Sequence, residues 1–316
     1  MTANRDRPSL PLGQPARCVA CFVYDRLISH GSRHTPRNRP ISPMGTSPEP
    51  TPIPTVHKIS VVVPCHNYGR YLSEALTSLI TQSRLPDQIV IVDDGSTDNS
   101  SSVIDAFARR YPDTLVLARY PNRGPVSTFN DGVRATSGDF VVILSADDRM
   151  SPNYLESLSD ALATGCDFAY AKMIIFGTRN AVMNARPFSR ALLPLGNYIN
   201  GAAMFRRELF DAVGGFRAEF ENLGREDWIF WLMATARGYK GIAVNSCWLE
   251  YRRHPEGSRD SLRLSEVHKV HRMARALGLI SQCQYLVGIL YSSVPDFLRS
   301  LLREHHPPMA DSFKAG

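Results

Sequence analysis

Apolar residues in this chain follow two alternating rhythms. Ile59-Ser60-Val61-Val62-Val63-Pro64 is nearly unbroken and β-branched, which predicts a short strand buried on both faces and ended by proline. After a polar turn, Leu72, Ala75, Leu76, Leu79 and Ile80 recur at helical spacing within Tyr71 to Gln82. Gln88 to Val92 predicts a second strand. Asp98 to Arg110 predicts a helix with Val103, Ile104 and Phe107 facing inward. Thr114 to Ala118 and Phe140 to Leu144 predict two more strands, separated by a helix marked by Val126, Phe129 and Val133. This alternation predicts an α/β fold with a doubly wound, mostly parallel sheet. Such sheets bind ligands beyond the carboxyl ends of their strands, so the polar turns there are the places to look for chemistry.

The rhythm loosens after Ser151. Asp167 to Phe176 predicts a strand, 179–200 an irregular stretch, and Glu226 to Arg237 a helix carrying two tryptophans. Lys240 to Asn245 and Trp248 to Arg252 predict two short strands. Past Ser261 the chain is expected to be helical, with Leu279, Ile280, Cys283, Leu286, Val287, Leu290, Tyr291 and Val294 on one stripe. That stripe is expected to pack on the body or on a dimer mate, with peripheral docking at a membrane surface as the alternative. The expected layout is a leader over 1–57, a catalytic domain over 58–260 and a helical tail over 261–316.

Charge changes this picture little. The net charge is +6, but residues 1–57 hold seven Arg, two Asp and one Glu, so the remainder carries only +2. The leader is rich in Pro, Arg, Ser and Thr and lacks periodicity, which predicts disorder, and Met44 is an expected alternative start. Without a basic helix or an RNA-binding aromatic signature in the body, nucleic acid is not an expected partner. The apolar run from Cys18 to Ile28 is broken by Asp25 and Arg26 and is too short to span a bilayer. Six irregularly spaced cysteines make no disulfide framework, and Cys18 and Cys21 have no second pair at zinc spacing. A cytoplasmic protein, peripheral at the inner face of the membrane if the tail docks there, is the expectation.

Two acidic constellations sit at strand ends. Asp93-Asp94-Gly95-Ser96-Thr97-Asp98 follows the second strand. Its carboxylates can accept hydrogen bonds from a nucleobase or ribose, while Ser96, Thr97 or Asp98 caps the next helix. Ser145-Ala146-Asp147-Asp148 follows the fourth strand, where carboxylates suit a hard divalent cation bridging diphosphate oxygens.

Six segments then occur in order: Ile59 to Pro64, Asp93 to Asp98, Asn122-Arg123-Gly124, Ser145 to Asp148, Gly214-Gly215-Phe216, and Glu226-Asp227-Trp228. Together they resemble the inverting glycosyltransferases of the GT-A fold known as family two, over roughly Lys58 to Ser261. The resemblance implies transfer of a sugar from a nucleotide diphosphate donor to an acceptor hydroxyl, with a divalent metal, Mn2+ or Mg2+. It implies that Pro64 and the turn after it, His66 and Asn67, line the nucleotide pocket, with Asp93 or Asp94 on the base. Asn122 and Arg123 would lie by the ribose or diphosphate, with Ser145 and Ala146 beside them. Asp147 matches the metal-holding carboxylate, helped by Asp148, and His254 would reach the metal or diphosphate. Asp227 matches the catalytic base, with Glu226 orienting it or touching the acceptor. Ser145 departs from the family's frequent Asp-x-Asp and removes one charge from the metal site.

Such a transfer builds negative charge on the departing diphosphate, which a cation and arginines neutralise, and needs a carboxylate to take the acceptor proton. Two other readings compete. A dinucleotide-dependent oxidoreductase would need a Gly-x-Gly-x-x-Gly turn, and Cys65-His66-Asn67-Tyr68-Gly69 is not one. A non-catalytic nucleotide-sugar binding module would account for Ser145 but not for the presence of both Asp147 and Asp227.

Overall fold

The computed structural model describes residues 57–221, 224–255 and 264–293. The expected disordered leader with Met44 lies outside them but for His57, as does the end of the expected tail. The elements are β1 (Ile59–Cys65), α1 (Gly69–Ile80), β2 (Gln88–Asp94), α2 (Ser100–Arg110), β3 (Leu115–Tyr120), α3 (Pro125–Ala135) and β4 (Phe140–Ile143). They continue as β5 (Arg149–Met150), α4 (Tyr154–Ala163), β6 (Phe168–Gly177), β7 (Ala181–Met183), β8 (Met204–Arg206), α5 (Arg207–Val213) and α6 (Glu226–Ala236). Strand β9 (Gly241–Arg253) and helices α7 (Leu264–Ala276) and α8 (Gln282–Ser293) complete the described chain.

One sheet runs in the order β3-β2-β1-β4-β8-β6-β9-β5, with β7 beside β6. Strands β3, β2, β1 and β4 are mutually parallel, as the strand-helix alternation implies. Beyond β4 the sheet becomes mixed, because β8 runs antiparallel to both β4 and β6, and β5 antiparallel to β9. Side chains alternate between two cores. Val62, Val90, Val92 and Val141 pack under α3 and α6 on one face. Ile59, Val61, Val63, Ile89 and Ile91 pack under α1, α2 and α4 on the other. The sheet is therefore doubly wound. Gly132 lets α3 lie close to it: a Cβ there would fall 2.3 Å from Val62 Cγ1. Proline is tolerated in central β1 because pairing with β4 ends at Val62, so Pro64 has no ladder bond to lose on that side.

Several expectations change. The two short strands expected after Lys240 are one strand, β9, whose pairing with β6 jumps from Val244 to Trp248 across a bulge. The irregular stretch over 179–200 contains β7 and a 3-10 turn at Leu193–Leu195. The last apolar stripe does not run through one helix, since a turn separates α7 from α8 at 277–281. Helix α6 is buried from Trp228 to Thr235, too completely for a helix with one solvated face. Its cover comes partly from Val267, Val270, Ala274 and Ile280, which join its core cluster. The described part of the expected tail thus packs on the body. Among the described residues, no helix is long and apolar enough to cross a membrane.

Candidate active site

The turns after β1, β2 and β3 are tied into one crevice wall. Asn67 adopts a left-handed backbone (φ 59°), a conformation asparagine tolerates better than most residues. Its Oδ1 accepts from the amides of Thr97 (2.7 Å) and Asp98 (3.3 Å), and its own amide donates to Ser96 Oγ at 3.0 Å. His66 Nδ1 donates to the Asp94 carbonyl at 2.8 Å. Its Nε2 is left to accept from the side-chain amides of Asn122 (3.1 Å) and Asn67 (3.2 Å).

Both carboxylates of the Asp93-Asp94 pair are buried and engaged. Asp93 Oδ1 accepts from the Ser96 amide and Oδ2 from the Ser101 hydroxyl, each at 3.0 Å. Asp94 Oδ1 accepts from the Arg123 amide at 2.8 Å and Oδ2 from the Gly124 amide at 3.0 Å. Asp94 therefore folds the Asn122-Arg123-Gly124 loop against β2. The N-cap of α2 is Asn99, not the expected Ser96, Thr97 or Asp98; Asp98 closes the turn just before it, its Oδ1 accepting from the Ser100 amide at 2.9 Å. The Arg123 guanidinium pairs with Asp131 and lies over the Tyr120 ring at 4.1 Å.

The turn after β4 carries the metal candidates. Ser145 is exposed and Ala146 buried. Asp147 Oδ2 lies 3.0 Å from His254 Nε2, and the rings of Tyr71 (5.0 Å) and Tyr68 (5.7 Å) wall the histidine. Asp148, expected to help Asp147, is engaged elsewhere through one oxygen. It is buried, Oδ1 accepts from the Arg252 amide at 2.8 Å, and burial with the Asp147 charge alongside pushes its carboxyl well above the usual range. Its bond holds the turn to β9. Arg252 locks the same joint: Nε donates to the Asp147 carbonyl at 2.8 Å and a terminal nitrogen pairs with Glu74 at 2.7 Å. Its guanidinium sits 4.5 Å from the ring centres of both Tyr71 and Phe176.

The first turn of α6 carries Glu226 and Asp227. Asp227 Oδ1 accepts from the Trp228 amide at 2.7 Å and Oδ2 from the Asn197 side-chain amide at 2.8 Å. Burial raises its carboxyl above the ordinary value, the Trp228 amide, Arg225 and Asn197 opposing. Glu226 differs. Its Oε2 is sealed from solvent without a hydrogen-bond partner, and burial, with the neighbouring Asp227 charge, pushes it up to about 7.

Glu221 links this turn to the crevice wall. Its carboxylate accepts from the Val126 amide at 3.2–3.3 Å, at the start of α3, where the helix dipole favours an anion. Burial raises the Glu221 carboxyl, and the charge of Asp94 adds to this, while Glu221 in turn raises Glu226. Asp94, Glu221, Glu226 and Asp227 therefore share one electrostatic neighbourhood. The sequence motifs take in Asp93, Asp94, Asp147, His254, Glu226 and Asp227, but not Glu221, Asn197 or Arg252. Each of these three acts through a partner at least 30 residues away, so no local motif marks it.

A parallel half-sheet with its turns gathered at one edge, continued by antiparallel strands, is the GT-A architecture of glycosyltransferases, and solved structures share it. S. aureus TarS 1-349 in complex with UDP-GlcNAc aligns with a TM-score of 0.56 and 21% identity, over 77% of this chain and 69% of that one. The mannosyltransferase PcManGT from Pyrobaculum calidifontis, in complex with GDP-Man and Mn2+, aligns at 0.60 and 18%, over 90% of this chain and 86% of that one. At such identities the likeness is one of fold. The chain belongs to glycosyl transferase family 2, whose family model matches residues 60–222, just over half of it. An uncharacterized glycosyltransferase of Nostoc sp. is 41% identical over 107 residues, a match taking in 34% of this chain and 33% of that protein. Family membership removes the oxidoreductase reading.

Proposed function

We propose that the chain is a metal-assisted, inverting glycosyltransferase that moves a sugar from a nucleoside diphosphate to an acceptor hydroxyl in glycoconjugate assembly. The observation that carries this is Asp227, a carboxylate with one donor on each oxygen, in the same electrostatic neighbourhood as the crevice wall built on Asp94. The nucleotide is assigned to the crevice of Pro64, His66, Asn67, Asp93, Asp94, Asn122 and Arg123. Since both carboxylates already hold backbone amides, recognition of the base falls on their remaining lone pairs and on exposed main chain. The complexes of UDP-GlcNAc and GDP-Man in the two similar structures support a nucleotide-sugar donor.

The residues present fit a divalent cation. Asp147 and His254 bring one carboxylate oxygen and one imidazole nitrogen within 3.0 Å of each other. Among the described residues no three metal-ligating side chains converge. That fits Mg2+ or Mn2+, which takes one or two protein ligands and completes its shell with substrate phosphates and water. When bound, the cation neutralises charge on the departing diphosphate.

Asp227 is the general base. Burial makes it a stronger base than a solvated carboxylate, while the Trp228 and Asn197 donors hold it in one orientation. Attack by the deprotonating hydroxyl on the face opposite the leaving group inverts the anomeric centre in one displacement. Asp227→Asn is expected to lose donor turnover while binding the donor as the wild type does. Turnover retained in that variant removes the base assignment, and a wild type that binds donors without turnover favours a binding module.

A further inference from the structure

We infer that Asn197 is the positioning residue for Asp227, and that His271 of α7 holds the Asn197 loop in register, making the C-terminal helices part of the catalytic unit. This rests on Asp227 being the base. It joins Asn197, inside the family-matched span, to His271, which lies past 222.

A carboxylate in the first turn of a helix has local amides to bond and no intrinsic reason to keep one rotamer. Here the Trp228 amide holds Oδ1, and Oδ2 is held from outside the helix by Asn197 at 2.8 Å. The Asn197 amide cannot be turned the other way without loss. Its Oδ1 accepts from the Ile199 amide at 3.1 Å, so its NH2 must face Asp227. The loop carrying it is stapled twice just upstream. Trp228 Nε1 donates to the Leu193 carbonyl at 2.8 Å, and His271 Nε2 donates to the Pro194 carbonyl at 2.7 Å. The Trp228 and His271 rings meet edge-on at 5.3 Å, so the two staples brace each other.

His271 is built for this task. It is fully buried, and burial lowers its pKa, so it stays neutral with its proton on Nε2. Its Nδ1 is sealed without a partner, as the acceptor nitrogen of that tautomer can be at modest cost. Helix α8 presses onto the ring through Gly288, where a Cβ would fall 2.5 Å from His271 Nε2. The path from α8 to the base runs from Gly288 to His271, from His271 to the Pro194 carbonyl, along the chain to Asn197, and from Asn197 to Asp227.

The test is the titration of Asp227, followed by carboxyl NMR of full-length protein labelled with 13C-aspartate and assigned through Asp227→Asn. Charged groups flanking Asp227 are Arg225 and Glu226, unchanged in every variant. Removing a donor that stabilises the ionised form raises the carboxyl pKa. Asn197→Ala is expected to raise it by about one to two pH units, the range for one hydrogen bond to a charged group. Asn197→Asp, which keeps the shape and replaces the donor by a second carboxylate, is expected to raise it further. His271→Phe should move it in the same direction by loosening the loop, and His271→Gln, which retains a donor, should restore part of the wild-type value. An unchanged Asp227 titration in both folded Asn197 variants overturns the positioning role, and an unchanged one in His271→Phe overturns the link to α7. The base reading is scored separately, by hydrolysis of UDP-GlcNAc or GDP-mannose. Turnover surviving Asp227→Asn sinks that reading, whatever the titrations show.

Discussion

Replacing Glu226 by Gln tests whether its carboxyl carries a proton in the folded protein. Oε2 is sealed from solvent without a partner, and Asp227 adjoins it, so the charged form is penalised twice and the pKa rises from 4.5 to about 7. A carboxyl whose pKa is raised on folding leaves stability intact below the unfolded value and lowers it as pH climbs through the folded one. The loss should therefore develop between about pH 4.5 and 7. At about 1.4 kcal/mol per pH unit, the limit is about 3 kcal/mol above pH 8. Glutamine mimics the protonated acid and removes this penalty. Thermal unfolding of wild type and Glu226→Gln, from pH 4.5 to 8.5, is expected to show curves that meet at the acid end. They should separate by up to about 6 to 12 °C at the alkaline end, the variant being the more stable. Groups remote from Glu226 titrate equally in both proteins, so the difference reports Glu226 together with its charge coupling to Asp227 and Glu221. Parallel curves, or a wild type that gains on the variant as pH rises, would refute the reasoning.

Gly132→Ala forces a methyl into Val62 between α3 and the sheet, and is expected to cost about 1–3 kcal/mol in denaturant unfolding. A variant as stable as wild type means α3 lies further from β1. Arg252→Ala removes the bond to the Asp147 carbonyl and the stacking between Tyr71 and Phe176. It should weaken metal-dependent donor binding without unfolding the protein. Arg252→Lys should not rescue it, because an ammonium lacks the planar fork. Calorimetric affinities unchanged in either variant would separate Arg252 from the Asp147 turn.

The legible parts of the fold share one property, which is that their signals are local. Strands β1, β2 and β4 are runs of mostly buried apolar residues, and the apolar stripe of α1 lies within a dozen positions. Strand β8 has three residues, Met204–Arg206, and exists because β4 and β6 flank it. Strand β9 reads as two pieces because Asn245, Ser246 and Cys247 break the alternation, while β6 carries the pairing past them. The candidate site divides the same way. Asp93 and Asp94 are visible as a pair, but sequence does not show that their oxygens hold the turn and the Asn122 loop rather than stand open. Composition alone does not tell Asp147 from Asp148; only the family resemblance singles out Asp147. In the structure the arrival of β9 separates them, giving Asp147 a histidine partner and Asp148 the Arg252 amide.

The most direct test of the central claim is calorimetric titration with UDP-GlcNAc, GDP-mannose and dTDP-glucose, each with Mn2+ and with EDTA, on wild type and Asp147→Ala. A nucleotide-sugar donor site with a shared cation predicts that one nucleotide class binds wild type in Mn2+. Affinity should fall at least about tenfold, or about 1.4 kcal/mol, with EDTA and again in the variant. Binding indifferent to both EDTA and Asp147, or no binding of any donor to folded protein in Mn2+, would contradict the account.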